Sequence, residues 1–211
     1  MILRNLGRQP FEPVWAEMRA FTEARGATTE DELWLVEHDP VYTLGVAGRL
    51  EHLLANPQGI PVIKTDRGGQ ITYHGPGQAI VYVLFDLKRA GFGVRELVMR
   101  LESAVIDLLA ESAVEAYGRR DAPGVYVRMP GSGEEAKIAA LGLKVRNGRT
   151  YHGVALNVAM DLSPFDFINP CGYPGLRVTE LSELGVSLTR DAAAERLARQ
   201  VVARLEGPFP R

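Results

Sequence analysis

Residues 136 to 160 read "AKIAALGLKVRNGRTYHGVALNVAM", and this stretch decides the architecture. Two runs rich in Ile, Leu, Val and Ala flank Asn147-Gly148, the pair favoured where a two-residue turn needs positive φ at both positions. The stretch therefore predicts two antiparallel strands joined by a tight hairpin. Upstream, "QAIVYVLFDL" (78–87) is the most strand-like run of the chain, dense in β-branched and aromatic residues. "ELWLVEHDPVYTLG" (32–45) reads as two short strands broken at "HDP". "IPVIKTDRGG" (60–69) reads as an extended run closed by a glycine pair, and "GVYVR" (124–128) as a further strand.

Three segments carry helical spacing instead. In "FEPVWAEMRAFTEAR" (11–25), Val14, Trp15, Met18 and Phe21 share one side and Gly26 is placed as a stop. From Val94 to about Ala113, Leu97, Leu101, Val105 and Leu108 recur, with Arg95, Glu96, Arg100 and Glu102 on the other faces. "TRDAAAERLARQVVARLEG" (189–207) offers Thr189 or Asp191 as N-cap, Leu197, Val201 and Leu205 as an apolar stripe, and Gly207 as a stop. Strand runs interrupted by a few helices predict an α+β fold, not an alternating doubly wound sheet. No composition break divides the chain, so one domain over 1–211 is expected.

Composition narrows the function classes. The 211 residues are 46% hydrophobic and 24% charged, which fits a soluble globular domain with a substantial core. A formal net charge of -2, with no basic cluster interleaved with aromatics, argues against nucleic acid as a partner. No run approaches the apolar length that spans a bilayer, and the opening "MILRNLGRQPFEP" has no leader-like stretch. Cys171 is the only cysteine, so no disulfide forms within the chain, and a reducing cytoplasm is the expected compartment.

Cys171 sits in "FINPCGYPG" (167–175). A free cysteine usually behaves as a small buried hydrophobe, whereas the surrounding prolines and glycines describe a loop, where catalytic groups collect. Both readings stand at this point. Residues 67–78, "RGGQITYHGPGQ", place four glycines around Arg67, Tyr73 and His74, so the backbone can approach a ligand closely. The spacing matches neither a P-loop nor a dinucleotide fingerprint. Lys137 is the only charge between Ala136 and Leu143. It is either a solvated lysine whose stem covers apolar surface, or a desolvated amine with a lowered pKa that serves as a base. His152 and Asn157 are polar candidates on the second hairpin strand. The four histidines, His38, His52, His74 and His152, show no metal-ligand spacing with each other or with Cys171, and a serine nucleophile elbow is absent.

Five blocks, "HDPVYTLG" (38–45), "RGGQITYHGPGQ" (67–78), "KIAALGLKV" (137–145), "HGVALNV" (152–158) and "FDFINPCGYPG" (165–175), together resemble the lipoyl(octanoyl) transferase family, in the family's order. The likeness runs from about residue 30 to 185. It implies the fold shared with biotin and lipoate protein ligases, a mixed α/β domain with a larger and a smaller β-sheet flanked by helices. It also implies an acyltransferase moving an octanoyl group from octanoyl-acyl carrier protein to a specific lysine of a lipoyl domain. The implied acceptors are lipoyl domains of 2-oxoacid dehydrogenase complexes and the glycine cleavage H protein, with no cofactor or metal. By the same likeness Cys171 of the "NPCG" block and Lys137 of the "KI" block form the catalytic dyad. Substrate binding falls to Arg67, Gly68, Gly69, Gln70, Ile71 and Thr72, then Tyr73, His74, Gly77 and Gln78 of the glycine-rich block. On the hairpin it falls to Leu141 and Gly142, and to His152, Gly153 and Ala155. The loop "RMPGSGEEA" (128–136) looks longer than the family's usual approach to the lysine.

These residues suggest a mechanism. An ordinary thiol, with a pKa near ~8.5, is a few per cent thiolate at neutral pH, and Lys137 would raise that fraction at Cys171. Backbone amides of Gly77 and Gln78 are candidate donors to the tetrahedral intermediate. Tyr73 and His74 are expected in the acyl pocket and His152 near the dyad, with Arg67, Arg146 and Arg149 as candidates for docking acidic partners. Two rivals are an ATP-dependent lipoate or biotin ligase, which needs no cysteine nucleophile, and a catalytically silent binding module.

Overall fold

A computed structural model describes residues 1–170, 173 and 175–209. In chain order its elements are β1 (Ile2–Gln9), α1 (Phe11–Ala24), β2 (Glu32–His38), β3 (Val41–Leu44), β4 (Val62–Lys64), β5 (Ile71–His74) and β6 (Gln78–Leu84). There follow α2 (Leu87–Ala90), α3 (Val94–Ala110), β7 (Ala116–Gly118), β8 (Gly124–Arg128), β9 (Glu135–Arg146), β10 (Arg149–Asn157), β11 (Arg177–Val178) and α4 (Arg190–Glu206). The larger sheet runs β1-β2-β6-β10-β9-β8-β7, with β11 alongside β9, and the smaller runs β4-β3-β5.

Local chemistry explains the main elements. Asn147 and Gly148 adopt φ of 53° and 83°, and the turn they make sets β9 and β10 antiparallel, Arg146 opposite Arg149. The Thr189 hydroxyl accepts the Ala192 N–H and caps α4, which ends at Gly207. Pro10 precedes α1, which stops at Ala24 as Arg25 turns extended.

The larger sheet is covered on both faces. Leu97, Leu101 and Val105 of α3 and Leu197 and Val201 of α4 pack on Val81, Val83, Val154 and Leu156. On the opposite face Val14 and Met18 of α1 meet Trp34, Val36, Ile80, Tyr82 and Tyr151. Strand β6 is buried on both sides, which is why its sequence is apolar from Ala79 to Leu84. Truncating a fully buried anchor such as Leu101 to alanine costs about 2–5 kcal/mol. Tyr42, Leu44, Ile71, Tyr73 and Phe165 form the core of the smaller sheet.

Several elements depart from the sequence reading, among them the short α2, β7 and β11, which it did not mark. β1 pairs in parallel with β2 at the sheet edge, but Ile2 and Leu3 are exposed and Gly7 interrupts the register, so no alternation marks the strand. The glycine-rich block contains a strand of its own, β5. Helix α3 closes at Ala110, three residues early, where Ala113 takes a positive φ of 55°. The loop before Lys137 is a compact hairpin turn between β8 and β9, held by Met129 N–H to Glu134 O at 2.8 Å and Gly133 N–H to Met129 O at 2.9 Å.

Candidate active site

A narrow cavity lies on the α1 side of β6, β10 and β9, closed from above by residues 67–74 and Phe165. Its floor is small. Ala140 faces Ala155 and Gly142 faces Gly153 across the β9–β10 ladder, leaving room over the sheet that larger side chains would fill. A Cβ on Gly142 would stand 3.0 Å from Arg67 Cδ, so the overlying arginine packs closely on the bare strand there.

Lys137 lines this cavity and is 4% exposed. The solvated alternative therefore does not describe it. Its Nζ donates to Pro123 O at 3.0 Å and lies over the Tyr126 ring, 5.4 Å from the centroid. Simple alternation would not place it there. Ala140 opposes Ala155 on the α1 side, so a regular strand would turn Ile138 to the cavity, yet Ile138 is buried with the α3 and α4 core. The β8–β9 pairing passes from Val125 opposite Ala139 to Tyr126 opposite Lys137, and the extra residue, Ile138, reverses the alternation beyond it. Bulges re-aim side chains beside functional sites in this way.

His152 reaches the cavity by a second irregularity. Its neighbours Val154 and Leu156 point to α3 and α4, but a φ of 61° swings the imidazole to the α1 side. There it stacks on Phe11 and Tyr151 and its Nε2 lies 3.3 Å from Asp66 Oδ1. Asp66 also accepts from Trp15 Nε1 at 3.0 Å and from the Tyr151 hydroxyl. Burial raises the Asp66 pKa, but the hydrogen bonds from His152, Tyr151 and Trp15 outweigh it and hold the carboxyl well below its ordinary range. Burial lowers the His152 pKa, so the ring is neutral and donates from Nε2 to the carboxylate.

His74 is also buried and neutral, its pKa pushed down to about 3 by desolvation and by His38. Its Nδ1 faces Gln78 Oε1 at 2.7 Å, Gln78 Nε2 donates to Asn157 Oδ1 at 2.9 Å, and Asn157 Nδ2 donates to Thr179 O at 3.0 Å. The terminal carbonyl sets every orientation in this chain, so the His74 proton lies on Nδ1. Thr179 N–H in turn donates to Lys137 O at 3.0 Å, tying the network to the lysine's backbone.

Arg67, Gly69, Gln70, Ile71, Thr72, His74, Gln78, Leu141, Gly142, His152, Gly153 and Ala155 line the cavity along with Lys137. Gly68, Tyr73 and Gly77 do not. Gly68 N–H donates to Leu143 O at 2.8 Å, fastening the loop to β9. Tyr73 packs between Tyr42 and Phe165 in the small-sheet core, which corrects its expected place in the acyl pocket. The amides of Gly77 and Gln78 are already engaged, with Glu37 Oε1 at 2.7 Å and with Gly75 O at 3.3 Å, so this geometry does not offer them to an oxyanion. Cys171 lies outside the described residues; Pro170, its neighbour in sequence, lines the cavity.

Two of the three docking arginines need correction as well. Arg67 is buried, its guanidinium bonded to Thr43 O at 2.6 Å, Gln70 O at 2.9 Å and Gly68 O at 2.9 Å, where it staples the glycine loop to β3. Arg149 binds Arg25 O and pairs with Asp86. Arg146 is exposed and pairs with Glu23 at 2.9 Å.

Ile80, Tyr82, Ala140, Phe165 and Val178 also line the cavity and were not singled out by sequence reasoning. Ile80 and Tyr82 follow Gln78 at the period of a strand, and that spacing could have found them. Phe165 opens the 165–175 block but was not itself picked out, and Val178 arrives from a segment that carries no local signal.

This two-sheet scaffold, with a covered cavity over its central hairpin, is that of a biotin and lipoate ligase-like protein. Residues 9–202 match the model of the lipoyl protein ligase A/B catalytic domain. A bipartite lipoate protein ligase from Thermoplasma acidophilum superposes with a TM-score of 0.76 at 18% identity, over 100% of this chain and 86% of that one. Biotin protein ligase from Aquifex aeolicus gives 0.56 at 12% identity, over 98% and 69%. Both likenesses concern the fold. An octanoyltransferase of Chromobacterium violaceum is 59% identical over 196 residues, covering 93% of this chain and 91% of its own length. The chain belongs to the lipoyl protein ligase A/B catalytic-domain family, within its octanoyltransferase branch. It is an acyltransferase of protein lipoylation. Among the described residues no helix is long and apolar enough to cross a membrane.

Proposed function

We propose that the chain, acting as one catalytic domain, moves an octanoyl group from octanoyl-acyl carrier protein to a lysine of a lipoyl domain through a thioester on Cys171. The observation that carries the reading is Lys137, buried in a cavity whose apolar lining includes Ile71, Ile80, Leu141 and Ala155 and one wall of which is Pro170, next to Cys171 in sequence. Lipoyl domains of 2-oxoacid dehydrogenase complexes and the glycine cleavage H protein are the acceptors, and the setting is the cytoplasm.

In this mechanism the Cys171 thiolate attacks the donor thioester carbonyl, and the carbonyl–sulfur bond to phosphopantetheine breaks as the new thioester is completed. Lys137 gives a proton to the departing thiolate. The acceptor lysine amine then attacks the Cys171 thioester, Lys137 takes the amine's proton, and the thiolate is released as the amide forms. Exchange of one thioester for another is nearly isoenergetic and amide formation runs downhill, so no ATP is consumed. Apolar lining from Ile71, Ile80, Leu141 and Ala155 accommodates the tail, each buried methylene giving about 0.8 kcal/mol.

Intact mass after incubation with octanoyl-acyl carrier protein tests this. Wild type is expected to gain a hydroxylamine-labile octanoyl group, and Cys171→Ser is not. Turnover without an adduct would make the transfer direct, and turnover only with ATP would make the chain a ligase.

A further inference from the structure

We propose that Glu102 is a positioning residue for Lys137, acting through the single peptide unit between Pro123 and Gly124. Glu102 belongs to α3, on the far side of the larger sheet from the cavity, and is 9% exposed in the midst of an apolar helix face. A carboxyl there is costly unless partnered. Its Oε1 accepts the Gly124 N–H at 2.9 Å. The carbonyl of the same peptide, Pro123 O, accepts Lys137 Nζ at 3.0 Å. One rigid amide plane therefore links carboxyl and ammonium, and a carboxylate at its N–H end polarises the carbonyl toward the lysine.

Glycine at 124 completes the fit. Its φ is +147°, and a Cβ would stand 2.5 Å from Lys137 Cε and 2.8 Å from Nζ. The lysine end thus lies against bare backbone whose orientation Glu102 sets. On the other side, a Cβ on Gly118 would be 3.0 Å from Glu102 Oε2, so β7 closes over the carboxyl. Burial raises the Glu102 pKa, while the Gly124 N–H and the Lys137 charge draw it back down. The geometry and the electrostatics couple the same two residues.

The role rests on Lys137 being the proton-transfer group of the proposed reaction, and the experiment separates the two claims. The chain has four lysines, Lys64, Lys88, Lys137 and Lys144, so their Cε–Hε signals are resolvable by NMR after isotopic labelling, with Lys137→Arg for assignment. Glu102→Ala should lower kcat about tenfold with KM changed less than about twofold, and displace the Lys137 signal alone. Glu102→Gln keeps an acceptor for Gly124 N–H, and kcat should stay within about threefold of wild type. Its lost charge should nevertheless lower the Lys137 titration midpoint and move the pH profile of kcat with it. A Glu102→Ala variant that only melts earlier, with kcat and the Lys137 signal unchanged, would overturn the proposal. If that variant does not fold, an unchanged Lys137 titration in Glu102→Gln overturns it. If wild type transfers no octanoyl group, the functional reading fails, and the Lys137 signal still decides whether Glu102 positions it.

Discussion

Lys137 and His152 line the same cavity, and each does so against the alternation of its own strand. In β9 the extra residue Ile138 turns the lysine to the α1 side; in β10 a φ of 61° turns the imidazole there. Left-handed backbone at a residue other than glycine costs on the order of 1–3 kcal/mol, and it persists where surrounding contacts, here Asp66, Phe11 and Tyr151, hold it. The two irregularities bring a lysine side chain and a neutral imidazole into one cavity.

Lys137→Met separates chemistry from packing. The thioether fills much the same space as the lysine stem, while Pro123 O loses its donor, at a cost of about 1–3 kcal/mol. Turnover of octanoyl-acyl carrier protein should fall by about 100-fold or more, far beyond what a thermal midpoint lowered by several degrees explains. Steady-state transfer and calorimetry on one preparation check this, and a loss of rate under about threefold would remove Lys137 from the chemistry.

Gly124→Ala tests the bare backbone beside the lysine. The new methyl would lie 2.5 Å from Lys137 Cε and 2.9 Å from Ala139 O, a backbone atom that cannot swing away. Stability should drop by about 1–3 kcal/mol and turnover by more than the stability loss explains. Gly131→Ala is the control, since that glycine also has positive φ, 80°, but nothing within 4 Å of its Cβ position. It should lose stability while keeping its rate; equal rates for the two variants would contradict the argument.

Much of the scaffold was legible in the sequence because its signals are local. The Asn147-Gly148 turn, the Thr189 cap with Gly207, and the apolar density of 78–87 each act over a few residues. The site was legible only as blocks. "RGGQITYHGPGQ" pointed to the cavity wall, but nothing within it tells that Arg67 turns inward to staple Thr43, or that the Gly77 amide is claimed by Glu37 forty residues away. Nor does periodicity tell which face Lys137 takes, because the bulge at Ile138 reverses the period and is defined only by pairing with β8. Glu102 read as one polar residue on the exposed side of a helix, and its partner, Gly124, comes from another strand.

Chain-length preference should follow the small residues under the cavity. Ala155 faces Ala140 across the ladder and is 5% exposed, so a larger side chain there takes space from the acyl tail. Ala155→Val should lower kcat/KM for octanoyl about tenfold relative to hexanoyl donor, in line with about 1–3 kcal/mol for one or two methylenes. Rates for six-, eight- and ten-carbon donors measured side by side give the ratio. An unchanged ratio would place the tail elsewhere.

Acid should destabilise the protein through its buried histidines before its carboxylates titrate. Burial lowers His38 to about 4 and His74 to about 3, against the ordinary 6.5 of the unfolded chain. Below 6.5 the unfolded state binds protons that the native state refuses, so stability is full above that pH and declines as pH falls toward the two folded values. Each histidine contributes about 1.4 kcal/mol of loss per pH unit once the unfolded ring is charged. His152, lowered in the same direction, adds to the loss. Glu102 acts in the opposite sense, since its raised pKa takes stability away as pH rises above the ordinary carboxyl value, and Asp66 begins to matter only below 3.8. Urea midpoints between pH 7 and 5 should therefore fall steeply, with proton uptake on unfolding of about two or more at pH 5. His38 donates or accepts at both ring nitrogens, with Gln9 O at 2.9 Å and the Tyr82 hydroxyl at 2.7 Å. His38→Gln should thus be less stable at pH 7 yet show a shallower slope by nearly one proton. A midpoint independent of pH across this range would mean that the histidines are hydrated and the buried cluster is not formed in solution.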